Sequence, residues 1–343
     1  MSIRVGSIGF GRHFRRSLLP NVIATESLSL VAVAELDPAT RALAADRLPG
    51  LPLADSGAAL LERDDLDAVI ISAHPEAHAQ LTKAALQAGK HVFVEKPVAL
   101  AADPVCELAD LAARHERVVM TGTMWRHAPV HQTMRRWMTR AGVQPVTFAV
   151  NATFPAVLLR PGWDLDEVAL AVYDMFIHPI DWASWLLGPV CGVDAIRQEL
   201  PGTGAMTAQI RLVSEDSMIG VLTLATGSRA YQVDAWIQTD AGDLIEIDTK
   251  ERLRVTTSPT WSATEGGIRD RATENWEAGQ LYRGWGRKGY AEELAVWAER
   301  IGRNTDHRLG LDEAAETMRI IEQVVPMLRD PSRTVTAGQR QTA

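Results

Sequence analysis

The chain has 343 residues, room for two domains, and its 46% apolar and 23% charged fractions belong to a folded globular protein rather than a disordered or collagen-like one. The 35 basic against 43 acidic residues, a net charge of −8, lack the basic surplus of a nucleic-acid binder. Cys106 and Cys191 are far apart and form no CxxC pair, so neither a zinc site nor a disulfide framework is indicated, and no metal is expected.

From Met1 the chain enters the apolar run 3–8 with no visible signal peptide, and no stretch reaches the roughly 18 apolar residues of a spanning helix; a cytoplasmic protein without a membrane partner is expected. Short β-branched runs at 3–8, 29–34, 67–72, 91–94 and 117–121 alternate with Ala/Leu-rich segments of helical spacing. Continuous apolar strands separated by helices indicate a parallel sheet covered on both faces, so residues 1–123 are expected to form a doubly wound α/β domain. After residue 143 the runs 146–152, 206–213, 218–225, 231–238 and 244–248 alternate or nearly alternate, and short polar turns such as 214–217 and 240–243 join them. That pattern predicts a mostly antiparallel sheet. A helix over 172–187 interrupts it and a helical tail over 291–328 closes it, which makes 124–343 an α+β domain with an open sheet. Residues 255–289, rich in Gly, Trp, Arg and Thr without period, are expected to be a long irregular loop, functional or mobile. Two asymmetries stand out: all 10 Trp lie between Trp125 and Trp297, and only five basic residues are Lys.

The first strand runs into Gly9-Phe10-Gly11-Arg12-His13-Phe14, with a helix to follow. The first glycine of such a loop allows the tight turn, and the second lets backbone N–H groups approach a pyrophosphate at the helix N-terminus. Phe14 departs from the pattern, because a Gly or Ala there permits close helix–strand packing. Glu35 ends the second strand, where a carboxylate accepts from a ribose 2′-hydroxyl and repels a 2′-phosphate, favouring NAD over NADP.

Lys96 follows the strand 91–94 in His91-Val92-Phe93-Val94-Glu95-Lys96-Pro97, at the carboxyl end where open α/β sheets place their ligands. Pro97 is a candidate for a cis bond that fixes the turn. Here the chain resembles the Gfo/Idh/MocA oxidoreductases. The likeness lies in Val5–Gly11, in the run Ala85–Pro97, in the helix segment Asp174-Met175-Phe176-Ile177-His178-Pro179-Ile180-Asp181, and in the tail from Tyr290-Ala291-Glu292-Glu293-Leu294. The resemblance implies a Rossmann domain, a second domain on an open antiparallel sheet, and homodimers or homotetramers joined through that sheet. It also implies a nicotinamide cofactor held by Gly9, Phe10, Gly11, Arg12, His13, Phe14, Glu35, Ala73, His74, His78, Glu95 and Lys96.

Asp174 and His178 are four apart on a predicted helix and share a face. In the family, the residues matching Lys96, Asp174 and His178 form the catalytic group. Oxidising a secondary alcohol requires loss of the hydroxyl proton as hydride leaves the same carbon, and an imidazole, with an ordinary pKa of about 6.5, suits that exchange. Lys96 suits stabilisation of the developing alkoxide, and Asp174 suits orienting His178 or binding a neighbouring hydroxyl. Phe176 stands where the family commonly has a small residue. For the substrate, Trp125, Arg126, Trp163, Tyr173 and Trp285 are candidates, since sugars stack their C–H faces on indole rings; Trp182, Trp236 and Trp297 are expected in the core or a subunit interface. The leading expectation is an NAD(H)-dependent alcohol–ketone oxidoreductase for a sugar, cyclitol or related polyol. The alternatives are a redox-neutral enzyme that recycles NAD, an imine or secondary-metabolite reductase, and a catalytically silent ligand-sensing regulator.

Overall fold

Burial on both faces dictates the first sheet. Ala68, Val69, Ile70 and Ile71 on one strand and Val92, Phe93 and Val94 on the next are all 0% exposed, as expected of parallel strands with helices on either side. A computed structural model describes residues 2–155, 163–200, 205–257, 272–278 and 288–336. Its strands β1 (Ile3–Ile8), β2 (Leu28–Ala34), β3 (Leu53–Ala54), β4 (Ala68–Ile71), β5 (His91–Glu95) and β6 (Val119–Gly122) are parallel in the order β3-β2-β1-β4-β5-β6. Strand order therefore reverses between β1 and β4, the place where such sheets open a ligand crevice at their carboxyl ends. Local signals set the helix starts: Asp37 accepts the Thr40 N–H at 2.7 Å ahead of α2 (Pro38–Arg47), and Pro75 opens α4 (Pro75–Gln87). Helices α1 (Leu19–Ala24), α3 (Gly57–Leu61), α5 (Ala102–Arg114) and α6 (Met124–His127) complete this part of the chain.

The chain divides into two compact units, Met1–His127 with Gly284–Arg319, and Ala128–Arg283 with Ile320–Ala343. The first crossing falls close to the expected cut at 123/124, but a piece of the tail expected in the second domain returns to the first. Its helix α10 (Tyr290–Arg303) has a buried stripe of Tyr290, Leu294, Trp297 and Ala298 that packs on α1, α6 and β6. Trp297 meets Phe93 edge-on at 5.7 Å. The single tail helix expected over 291–328 is two, α10 and α11 (Leu309–Arg329), because Asn304 ends α10 in the left-handed region at φ 50.

The second unit holds a nine-stranded sheet of β7 (Pro145–Pro155), β8 (Val190–Leu200), β9 (Ala205–Ser214), β10 (Ile219–Ser228), β11 (Gln232–Thr239), β12 (Leu244–Asp248), β13 (Arg252–Thr257), β14 (Ala272–Glu277) and β15 (Thr334–Thr336). The order is β14-β13-β12-β11-β7-β10-β9-β8-β15, antiparallel except for β10 on β7 and β15 on β8. Burial alternates along each central strand, so one face is apolar and the other open. On the apolar face lie α7 (Pro129–Ala141) and α9 (Ile177–Leu187), with Trp182 5.6 Å from Phe148 and 5.2 Å from His131. A Cβ at Gly220 would come within 2.3 Å of the Phe148 ring, so this glycine makes the room that the ring fills. The strand β14 corrects the expectation of an irregular segment over 255–289: it pairs with β13 through Arg254 and Asn275, while 258–271 and 279–287 fall outside the described residues. Among the described residues, no helix is long and apolar enough to cross a membrane, and no group of three or more His, Cys, Asp or Glu is placed to hold a metal.

Candidate functional site

The glycine loop turns as its first glycine requires. Gly9 sits at φ +99, its N–H donates to Ala34 O at 2.8 Å, and a Cβ there would lie 2.4 Å from the Ser72 carbonyl oxygen. Gly11 differs, because a Cβ there would meet nothing within 4 Å. That open space beside the N-terminus of the following helix is what an approaching phosphate needs. Glu35 is half-buried and tied to the loop: Phe10 N–H donates to Oε2 at 2.7 Å and Asp37 N–H to Oε1 at 3.0 Å. Its carboxylate is thus fixed next to the glycines with acceptor capacity to spare for ribose hydroxyls. Arg12 is exposed.

Two imidazoles cross-link the loops at the carboxyl ends of β1, β4 and β5. His13 Nε2 lies 2.8 Å from Glu95 Oε1, and the Lys96 N–H donates to Glu95 Oε2 at 3.2 Å. The buried His78 of α4 sets one ring nitrogen 2.8 Å from Pro97 O and the other 3.1 Å from Ala73 O, the residue before His74 at the start of α4. Burial lowers the His78 pKa from its ordinary value, although the Pro97 carbonyl and Glu95 oppose that shift. Burial alone would raise the Glu95 carboxyl; His13, by charge and hydrogen bond, together with Lys96 and His78 overcomes it and holds the group below its ordinary value. The Lys96–Pro97 peptide bond is cis, as the sequence suggested, and Lys96 itself is half-buried.

In the second unit, Asp166 caps α8 (Glu167–Ala171) by accepting the Ala169 N–H at 2.8 Å, and the helix then widens into a π turn, Val172–Phe176, before α9. Asp174 lies in that π turn and is 9% exposed; His178, one turn on, is half-buried. Phe176 closes the π turn fully buried, its ring 5.8 Å from Phe154 of β7. Phe14 opens another π turn, Phe14–Leu18, and is likewise fully buried, 5.9 Å from Phe10. Both departures from a small residue therefore coincide with a wider i→i+5 turn.

The remaining candidates separate by burial. Trp125 is 1% exposed and Arg126 4%, and within the first unit the Arg126 guanidinium pairs with Glu313 at 3.0 Å. Tyr173 is 8% exposed, with its hydroxyl pKa raised by burial and then by Glu322. Trp163 is half-buried, and Trp285 lies outside the described residues. Sequence reasoning missed Gly122, which leaves room for the Glu95 carboxylate, and Tyr290, whose ring lies 5.9 Å from His13. A glycine closing β6 beside the strand that ends in Glu95 was the available signal for the first.

Comparison with known proteins agrees with this arrangement. A family model described as "Oxidoreductase family, NAD-binding Rossmann fold" matches residues 3–123. Inositol 2-dehydrogenase 3 of Saccharopolyspora erythraea is 27% identical over 81% of this chain and 80% of its own. The dTDP-3,4-didehydro-2,6-dideoxy-alpha-D-glucose 3-reductase of Streptomyces violaceoruber is 32% identical over 68% of this chain and 75% of its own. Among solved structures, a dehydrogenase from Chromobacterium violaceum superposes with a TM-score of 0.85 at 22% identity over 96% of both chains. A 3-ketoreductase from Actinomadura kijaniata, in complex with NADP and TDP-benzene, reaches 0.75 at 21% identity over 98% of this chain and 100% of that one. With the fold, the glycine loop and these relatives in agreement, the chain belongs to the Gfo/Idh/MocA family of oxidoreductases.

Proposed function

We propose that the protein is an NAD(H)-dependent oxidoreductase that interconverts an alcohol and a ketone on a sugar, cyclitol or related polyol. The observation that carries this reading is the Glu35 carboxylate bonded to the glycine loop beside the open Gly11. It offers acceptors to a ribose diol and a negative charge to any 2′-phosphate, which favours NAD over NADP. Gly9 to Phe14 would hold the pyrophosphate, Glu35 the adenosine ribose, and Ala73, His74, His78, Glu95 and Lys96 the other end. Bound NAD would supply the hydride acceptor. His178 takes the hydroxyl proton, Lys96 stabilises the developing alkoxide, and Asp174 orients His178 or binds a neighbouring hydroxyl. Lys96 belongs to the first unit and the other two to the second, so their joint action rests on residue chemistry and on the family. Relatives named for inositol and dTDP-sugar substrates support the substrate class. Trp125, Arg126, Trp163, Tyr173 and Trp285 remain the candidates to border the substrate, and the core placement of Phe14 and Phe176 favours an enzyme over a silent sensor.

The open face of the second unit's sheet is the proposed surface for a second copy of the chain. It exposes Ile196, Ile219, Trp236 and Leu244 by 37–42%, large apolar side chains of the kind that mark a contact face.

Titration with NADH and NADPH, followed by indole-to-nicotinamide energy transfer, tests the cofactor. Lys96→Ala and His178→Ala should each lower turnover on a polyol panel by roughly 10²-fold or more, while NADH affinity in His178→Ala stays within about threefold. Wild-type turnover in both variants would refute the assignment.

A further inference from the structure

Strands β1 and β5 are not neighbours, since β4 lies between them. Yet His13, two residues beyond Gly11, bridges the carboxyl end of β4 to reach Glu95 at the end of β5, at 2.8 Å. The two partners meet the solvent very differently: the Glu95 side chain is 8% exposed and the imidazole 42%. The carboxylate has a made-to-measure recess, because a Cβ at Gly122 would lie 3.0 Å from its carbon and from both oxygens. Its second oxygen is held by the Lys96 N–H at 3.2 Å, and the Tyr290 ring covers the imidazole at 5.9 Å. The crevice thus contains a fixed buried negative charge whose direct partner is a titratable side chain open to solvent.

This inference rests on the dinucleotide reading above. With the adenosine ribose on Glu35 and the pyrophosphate on the glycine loop, the β4–β5 side is left for the nicotinamide half. The oxidised and reduced nicotinamide rings differ by one positive charge. We propose that His13 sets how strongly this site prefers the oxidised over the reduced dinucleotide, by compensating or uncovering the charge of Glu95. When the imidazole is protonated, the carboxylate is balanced and the positive ring gains little from it. When the imidazole is neutral, the carboxylate attracts the oxidised ring and leaves the reduced one unaffected. Other charged or titratable groups face the pair, Lys96 beside it, His78 from α4 and Tyr290 from α10, and the exposed Arg12 is the fourth such group near it in the chain. Burial lowers the His78 pKa from its ordinary value. Replacing only His13 leaves all four groups in place.

The test is calorimetric titration of the full-length protein and its His13→Gln and Glu95→Gln variants with NAD+ and with NADH, the NADP pair alongside, at one pH of about 6. His13→Gln, which keeps a donor for Glu95 but loses the charge, should raise the ratio of the NADH Kd to the NAD+ Kd on the order of tenfold over wild type. Glu95→Gln, which removes the carboxylate charge, should leave that ratio well below the His13→Gln value. A ratio in His13→Gln within twofold of wild type, with both forms still bound, overturns the inference and leaves the dinucleotide reading standing. Binding of neither oxidised nor reduced dinucleotide by the wild type overturns both.

Discussion

The two glycines of the loop should fail in opposite ways when each receives a methyl group. In Gly9→Ala the new Cβ would lie 2.4 Å from Ser72 O and 2.9 Å from Ser72 C, against an ordinary contact of 3.4–4 Å, so main chain must separate from main chain by about an ångström. The φ of +99 adds roughly 1–2 kcal/mol for a residue with a side chain. Separation also strains the Gly9 N–H bond to Ala34 O or the Ser72 N–H bond to Ile8 O, at 2.8 and 2.9 Å, each worth about 1 kcal/mol. The sum, about 3 kcal/mol, corresponds to a fall in melting temperature of roughly 6–12 °C. In Gly11→Ala the Cβ meets no atom within 4 Å and φ is not positive, so stability should hold to within about 1 kcal/mol. The same methyl group would stand where a phosphate approaches the backbone, and NADH affinity should fall about tenfold or more. Thermal melts and NADH titrations of both variants decide the matter. A Gly9→Ala protein melting like wild type, or a Gly11→Ala protein binding NADH like wild type, would refute the division of labour between the two glycines.

Three further outcomes are expected. Removing the charge in Glu35→Gln while keeping an acceptor for Phe10 N–H should shift the NADPH-to-NADH affinity ratio toward NADPH by about tenfold, measured by the same titration; an unchanged ratio means that Glu35 does not set cofactor choice. Acid should weaken the first unit: burial, and then Arg126, lowers His127 to about 3, and burial, and then Arg117, lowers His91 to about 4. The unfolded chain takes up those protons near pH 6.5 and the folded unit does not, so stability is complete above that pH and is lost as pH falls toward 4, at about 1.4 kcal/mol per pH unit for His127. Calorimetry of His127→Gln should show a shallower slope over that window, and an identical slope would count against the buried neutral imidazole. Finally, Trp236→Arg on the open sheet face should lower the sedimentation mass of any oligomer; a wild-type mass would remove that face as the subunit contact.

The sequence was most informative where a backbone demand and a chemical demand coincide. Gly9, Gly11, Glu35 and the Glu95-Lys96-Pro97 turn were legible because strand periodicity placed them at carboxyl ends, where only certain residue types serve. The strands β13 and β14 were obscured because β14 lies in a Trp- and Thr-containing stretch whose pairing partner, not its own pattern, makes it a strand. The π turns at Phe14 and Phe176 leave no periodic mark, so a bulky side chain that turns inward looked like an obstruction. The burial of Trp125 and Arg126 left no mark either, because the Arg126 partner Glu313 lies far along the chain.

The return of Gly284–Arg319 to the first unit governs how the chain can mature on the ribosome. The sixth parallel strand is complete at Gly122, but its apolar cover starts at Tyr290, roughly 170 residues later, a delay of roughly 10–30 s at ordinary rates of translation. During that interval Phe93 lacks Trp297 and Arg126 lacks Glu313. A nascent or truncated chain ending near His127 would therefore present an uncapped hydrophobic flank and a buried-site arginine without its counter-ion. Such a fragment should need a chaperone or the C-terminal helices supplied separately, and soluble expression of the nucleotide-binding half will depend on fusing residues 288–319 back onto it.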